Sequence, residues 1–253
     1  MTKFDFEIQI SKDEVRNLTI QEEFFWLKQN GKERKVRLHD YSESYRIPYL
    51  YEYLMGKVQA QSYSILPSLL INRVKDEGNS IKDLVVLDVG AGSGMMGKAL
   101  ANFGIESIVG IDILPEAAEA AKREYPEVYE NYYVEDLSNL SEATEKTLSS
   151  KAFNCLICGS ALGFNHIPAS GWNTAFNAIL PNSWIVFNVH REQWEDKGET
   201  SFVARHPWIA NTEIFEIIEI RNFRYRFYLD GRSLHGSAII GKKRTNITKI
   251  KSF

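Results

Sequence analysis

The sequence predicts an α/β fold on a mostly parallel sheet, and three features predict it. From Leu84 onward, short apolar runs alternate with helix-like segments, the pattern of a parallel sheet buried between two helical layers. A glycine-rich turn, Gly90-Ala91-Gly92-Ser93-Gly94, joins the first of those runs to the helix after it. Near the end, two long stretches rich in β-branched and aromatic residues flank the turn signal Asp230-Gly231, which reads as an antiparallel pair closing the sheet.

Residues 1–47 are polar and mixed, with an aromatic cluster at Phe24, Phe25 and Trp26, and 31–54 is rich in tyrosine and arginine. Apolar residues then recur at three- and four-residue steps through Leu50, Leu54, Val58, Leu66, Leu69 and Leu70, so 49–75 is expected to be helical, with Pro67 dividing it. Residues 1–79 thus read as a mostly helical N-terminal lid, and 80–253 as the main domain. Within that domain, LVVLDV (84–89) is the first strand and 95–104 a helix ended by Gly104. Strands follow at 107–112, 131–137, 152–159 and 183–189, with helices at 115–126, opened by Pro115, and at 169–180. The closing pair lies within 213–231 and 234–244, and TNITKIKSF (245–253) reads as a frayed tail.

The chain of 253 residues is 44% hydrophobic, enough for a large core, and its net charge of −3 offers no global basic field to gather nucleic acid. The opening MTKFDFEIQISKDE carries charges where a signal peptide needs an apolar run. No apolar stretch approaches the roughly 18 residues of a membrane span. A soluble cytoplasmic protein is expected, in which the sequon Asn246-Ile247-Thr248 has no consequence. Cys155 and Cys158 form a CxxC in a strand setting; residues three apart there point to opposite faces, so buried small residues are expected rather than a metal or redox pair.

The glycine turn supports two readings. Gly92, Gly94 and Gly97 fit the dinucleotide fingerprint, with Asp112 twenty residues after Gly92. Alternatively Gly90, Gly92 and Gly94 follow Asp88 directly, and an aspartate beside a pyrophosphate is electrostatically unfavourable. S-adenosylmethionine (SAM) carries a sulfonium and an ammonium and no phosphate. Asp88 would then orient the turn or reach the ammonium, directly or through water. Asp112, at the end of the second strand, is placed to accept both ribose hydroxyls, and Asp136, after the third, to accept from the adenine amino group while Leu137 donates its N–H. Each of the last two acids has a bland reading as a helix or loop cap; three acids at successive strand ends behind one glycine turn are harder to reach by coincidence.

These residues resemble the class I SAM-dependent methyltransferases. LDVGAGSG matches that family's first motif, GID its acidic ribose motif and VEDL its adenine motif, and LPNSWIVFNV is similar to a later segment in which Asn182 and Ser183 stand where glycines are usual. The resemblance covers about residues 80–243. CGSALGFNHIP (158–168) is similar to a narrower set, the Williams–Beuren-region methyltransferase-like proteins. The resemblance implies a Rossmann-like sheet of seven strands in the order 3-2-1-4-5-7-6 with strand 7 antiparallel, SAM as cofactor and S-adenosylhomocysteine (SAH) as product. It implies cofactor contacts from Asp88, Gly90, Ala91, Gly92 and Gly94 at the turn, from Asp112 and Ile113, from Asp136 and Leu137, and from Gly159.

Methyl transfer is an in-line displacement on an activated sulfonium, so the protein must chiefly align a nucleophile and exclude water. The acceptor is expected beyond the fourth strand, in the loop 159–168. His166 is the first candidate for a base or acceptor contact, against a structural role capping the next helix; His190, past the fifth strand, is the second. Asn165, Arg191 and Trp194 are candidates for the same pocket. Tyr41, Tyr45 and Tyr51 are read as lid aromatics, with packing the competing role. Arg46 is a candidate partner for the cofactor carboxylate, and His39 ranks below all of these. Arg221, Arg224 and Arg226 on the late strand read as a solvated face or an acidic-substrate site. The leading function is methylation of a small-molecule acceptor, possible in specialised metabolism, by a monomer or homodimer. A protein methyltransferase, a non-catalytic SAM-binding subunit and an NAD(P)-dependent oxidoreductase are the alternatives.

Overall fold

The computed structural model describes residues 4–163, 166–199 and 201–247. The N-terminal part opens with three strands, β1 (Glu7–Gln9), β2 (Phe24–Gln29) and β3 (Lys32–Arg37), followed by helices α1 (Tyr41–Arg46), α2 (Leu50–Lys57) and α3 (Ser62–Asp76). The expectation of a mostly helical lid is corrected here: β1, β2 and β3 form a separate antiparallel sheet. Its hairpin turns at Asn30-Gly31, both at positive φ (52° and 72°), the two-residue turn that matches strand twist. Pro67 does not divide the helical stretch. It sits inside α3, and the break falls between α2 and α3, where Gln59 takes a φ of 51°.

The main domain alternates as expected: β4 (Val85–Val89), α4 (Met95–Asn102), β5 (Ser107–Asp112), α5 (Pro115–Glu124), β6 (Asn131–Val134), α6 (Glu142–Ser150), β7 (Cys155–Cys158), α7 (Ala169–Asn177), β8 (Trp184–His190), α8 (Arg191–Glu195), α9 (Phe202–Arg205), β9 (Phe215–Phe227) and β10 (Ser233–Lys243). Helix α6, absent from the sequence reading, begins at Ser141, whose side chain accepts from the Thr144 N–H. The seven-stranded sheet has the order β6-β5-β4-β7-β8-β10-β9. The pairs from β6 to β8 are parallel, and β10 runs antiparallel to both β8 and β9. Numbered by their order along the chain, these strands lie 3-2-1-4-5-7-6, with the seventh antiparallel. The long closing hairpin turns at Gly231, at a φ of 96°. Asn182 takes a φ of 62°, so an asparagine, which tolerates the left-handed region, does the work of a glycine in that turn.

Apolar residues fill both faces of the sheet. Leu87, Phe153, Leu156, Trp172, Phe187 and Phe215 pack on one side, and Leu66, Leu70, Val86, Met96, Ile108 and Val186 on the other. A third cluster joins Phe25, Leu27, Leu50 and Leu54 of the N-terminal part to Ala117 and Ala120 of α5, so the extension docks on α5 through buried apolar surface. Cys155 and Cys158 are both buried and unbridged, and no cluster of metal-ligating residues occurs among the described residues. No helix among the described residues is long and apolar enough to cross a membrane.

One buried cation secures the end of α7. Lys243 is wholly buried, and its Nζ donates to the carbonyls of Phe176 (2.9 Å), Asn177 (3.3 Å) and Ile179 (2.5 Å). These lie at the helix's negative end, where a cation is favourable. Lys243→Met leaves those carbonyls without their donor and is expected to lower stability by about 3 kcal/mol, read as a lower denaturant midpoint with an unchanged slope.

Candidate active site

A cavity of about 510 Å³ lies over the ends of β4, β5, β6 and β7, the position where open α/β sheets bind ligands. Its floor is the glycine turn. Gly90 and Gly92 take φ values of 67° and 56°. A Cβ on Gly90 would stand 2.5 Å from the Ala161 side chain, and one on Gly92 2.6 Å from the Tyr45 hydroxyl. The turn therefore needs glycine for its backbone and for the closeness of its neighbours.

Asp112 fixes the turn. Its Oδ2 accepts from the Gly92 N–H (2.9 Å) and its Oδ1 from the Leu114 N–H (3.0 Å). It stands on the cavity wall, and burial pushes its carboxyl upward against the pull of those N–H groups. Asp136 lies on the wall beside Leu137 and accepts from the Ser138 N–H at 2.8 Å. Ala91, Ile113, Gly159 and His166 line the cavity as well. So do Ser160, in the left-handed region at a φ of 68°, and Ile167 and Pro168. The Ser160 N–H is held by Asn188 Oδ1 at 3.0 Å, which ties this loop to β8.

The N-terminal part supplies the cover. Tyr41, Tyr45 and Tyr51 line the cavity together with Tyr63 of α3, which the sequence reading missed. Tyr51 and Tyr63 share a hydroxyl contact of 3.0 Å, and the Tyr45 and Tyr51 rings meet edge-on at 5.0 Å. Polar contacts latch this cover to the main domain. Ser93 Oγ donates to Glu52 at 2.6 Å, Arg123 to the Tyr45 carbonyl at 2.7 Å, and the Tyr49 N–H to Glu124 at 2.9 Å.

Several expected contacts stand elsewhere. Asp88 is 1% exposed and does not line the cavity. It accepts from the Tyr129 hydroxyl at 2.7 Å, and the Gly97 N–H faces it from α4. The expectation that it meets a cationic ligand is corrected: it holds the strand-to-helix junction from behind. Gly94, which caps α4, and Gly97 lie against the Tyr129 ring, so the third glycine of the fingerprint makes room for a tyrosine. Arg46 pairs with Glu43 and Glu116, away from the cavity. Arg226 is not on a solvated face: it is buried and paired with Glu23. Arg221 pairs with Glu219, and Arg224 donates to the Gln59 carbonyl. Arg191 pairs with Glu195. Trp194 packs toward Phe202 with ring centroids 6.4 Å apart. His190 stands behind the wall, beside Tyr225 with ring centroids 5.3 Å apart. Asn165 lies outside the described residues.

Burial lifts the Asp88 carboxyl from its ordinary 3.8 to about 7, against the opposing hydrogen bond from Tyr129. Between those values the folded protein keeps a proton that the unfolded chain has released. The contribution of Asp88 to stability therefore falls as pH rises through that window and is level on either side. Asp88→Asn keeps an acceptor for Tyr129 and removes the titration. Relative to the parent, it is expected to gain stability from about pH 4 to about pH 7 and to level off above that in denaturant titrations. A difference that does not change with pH would show that Asp88 stays ionised.

Residues 86–181 match the family model described as a methyltransferase domain. The fold is similar to magnesium protoporphyrin IX methyltransferase from Synechocystis PCC 6803. Against the form with bound SAH the TM-score is 0.53 at 14% identity, covering 76% of this chain and 87% of that one. Against the form with bound SAM the values are 0.50, 15%, 72% and 80%. A SAM-dependent methyltransferase from Methanosarcina mazei aligns at 21% identity and a TM-score of 0.48 over 64% of this chain and 92% of that one. No curated protein matches the chain. Residues 86–181 are thus similar to a methyltransferase domain, and the chain shares its fold with a methyltransferase crystallised with SAM and with SAH.

Proposed function

We propose that the protein transfers the methyl group of SAM to a small-molecule acceptor held beneath the N-terminal cover. The observation that carries this reading is the cover itself: tyrosines from three helices roof a compact cavity over the glycine turn, where a protein acceptor would need an open groove. Its volume falls within the range of about 300–1,000 Å³ usual for small-molecule sites.

The residues present fit the cofactor. Asp112 offers a carboxylate on the wall for the ribose hydroxyls, Asp136 and the Leu137 N–H offer the complementary pair for an adenine edge, and Gly90, Ala91, Gly92, Ile113 and Gly159 allow close backbone approach. When bound, SAM supplies a methyl group on a sulfonium whose departure as a neutral thioether drives the transfer. The chain's own part is to orient the two reactants and exclude water. His166, on the wall, is the acceptor-side base; Tyr45 and Tyr51 enclose the acceptor; His190 and Trp194 support that end from behind. The narrower likeness of 158–168 to the Williams–Beuren-region group belongs to this reading too, as do a cytoplasmic location, a role in specialised metabolism and a monomeric or homodimeric state.

The test uses methyl-labelled SAM with purified protein, offered a small-molecule extract and, separately, a protein extract. Label that enters an extractable small molecule supports the reading. Label that enters protein instead would replace it with protein methylation.

A further inference from the structure

The seven-stranded sheet ends differently at its two edges. β6, at one edge, has four residues, while β9, at the other, has 13. A long bare edge offers a row of N–H and carbonyl groups to a second strand, and proteins usually shorten it, cover it or place lysine and proline along it. One end of β9 is covered. The Gln61 N–H donates to the Tyr225 carbonyl at 2.9 Å, and the Phe227 N–H to the Val58 carbonyl at 2.7 Å, so the connection between α2 and α3 runs along that end. Along 217–223 no described segment pairs with the outer side, and FEIIEIRNFRYRF (215–227) contains neither lysine nor proline.

The side chains on this bare stretch carry a pattern. From Glu219 to Phe223 the pairing of β9 with β10 is regular, so residues alternate between the two faces. Glu219 and Arg221 share one face, where Glu219 accepts from Arg221 at 2.7 Å and from Arg73 of α3 at 3.0 Å. Ile220 lies on the other face and is 45% exposed; Ile218, where the register shifts, is 38% exposed. Two large apolar side chains thus stand open to solvent on a strand whose edge is unpaired.

A second copy of the chain can add its own β9 here. Two identical strands related by a two-fold axis normal to the sheet run antiparallel, and the axis passes beside the same residue of each. Residues equally far before and after that point then stand opposite each other. An axis at Glu219 sets two glutamates face to face, and an axis at Arg221 two arginines. An axis further along runs into the covered end at Tyr225, and one further back falls on the register shift at Ile218. An axis at Ile220 sets Ile220 against its copy, Glu219 against the partner's Arg221, and Arg221 against the partner's Glu219. Opposite charges across a strand pair favour it and like charges oppose it, and this register also takes the exposed Ile220 of both copies out of water.

We propose that the bare edge of β9 is a homodimer interface, in which two copies pair antiparallel about Ile220 and join their sheets into one. The occupant is a second copy because the charge pattern complements itself: Glu219-Ile220-Arg221 read backwards exchanges the two signs. The cavity lies over β4, β5, β6 and β7, and β8 and β10 separate β7 from this edge. Each copy therefore keeps its own cavity, and the proposal stands independently of the methyl-transfer reading.

Sedimentation velocity over a concentration series tests it. The parent protein is expected to reach twice the chain mass and to stop there, because a two-fold pairing is closed. Ile220→Lys sets two like charges at the axis and is expected to weaken association at least about tenfold. Glu219→Lys and Arg221→Glu each set like charges across the axis and should be monomeric alone; mixed in equal amounts they set opposite charges at both positions and should recover the doubled mass. Near-UV circular dichroism checks that each variant is folded, and Ile220→Lys, at an exposed position, keeps the test open if Glu219→Lys fails to fold without its bond to Arg73. A parent that stays monomeric at about 100 μM, where pairing of micromolar affinity is nearly complete, would overturn the proposal. So would a dimer that Ile220→Lys leaves intact, association that continues beyond two copies, or folded charge variants that stay monomeric when mixed.

Discussion

Asp112→Ala is expected to weaken SAM binding about 100-fold, because a carboxylate that accepts from two hydroxyls loses two charge-assisted hydrogen bonds of about 1.5 kcal/mol each. The loss has a second source in the protein. Asp112 holds the Gly92 and Leu114 N–H groups, so its removal also frees the turn that forms the cavity floor. Asp112→Asn keeps an acceptor on the same stem and should recover part of the affinity. Calorimetric titration of the three proteins with SAM checks the order. An alanine variant that binds within threefold of the parent would remove Asp112 from the cofactor site and leave it as a turn cap.

Glu23→Ala is expected to be the most destabilising change to the N-terminal part, by about 3–5 kcal/mol, since it leaves Arg226 buried without its partner. Glu23 is 1% exposed and accepts from both Arg226 and the Leu229 N–H, so it ties the segment before β2 to the end of β9. Paired replacement, Glu23→Leu with Arg226→Met, removes both charges and should restore much of the loss. Chemical denaturation of the single and double variants checks this. If the single change costs less than about 1 kcal/mol, the pair is solvated and contributes like a surface bridge.

The parallel sheet was legible because its strands are apolar on both faces and end at glycines, prolines and acids. Val85–Val89, Ser107–Asp112 and Trp184–His190 each fall within a residue or two of the expected spans. The small N-terminal sheet was not read, although Asn30-Gly31 carried a hairpin signal. Its outer strand, Lys32–Arg37, is almost wholly exposed and charged, so it lacks the alternation that marks a strand. Helix α6 is short and polar, with only Thr144 and Leu148 buried.

At the site, residues placed by their backbone position stand on the cavity wall. Gly90, Gly92, Asp112, Asp136 and Leu137 all reach the cavity, because a strand end fixes where they stand. Residues whose role depends on which way a side chain turns were not legible in the sequence. Asp88 lies inside β4 and points to Tyr129, a partner 41 residues away that no local pattern reveals. The case against a dinucleotide therefore shifts from Asp88 to the turn. Its Gly92 N–H is taken by Asp112, and the Tyr45 hydroxyl stands close against Gly92. Arg226 was undervalued for the same reason: its partner, Glu23, comes from a distant segment.

The central claim is that the cavity beneath the tyrosine cover is a SAM site, and calorimetric titration of the purified protein with SAM, SAH and NADH tests it most directly. Saturable binding of SAM and SAH to one site per chain, with no heat from NADH, is the predicted result. Binding of NADH without SAM or SAH would contradict the account and assign the glycine turn to a dinucleotide.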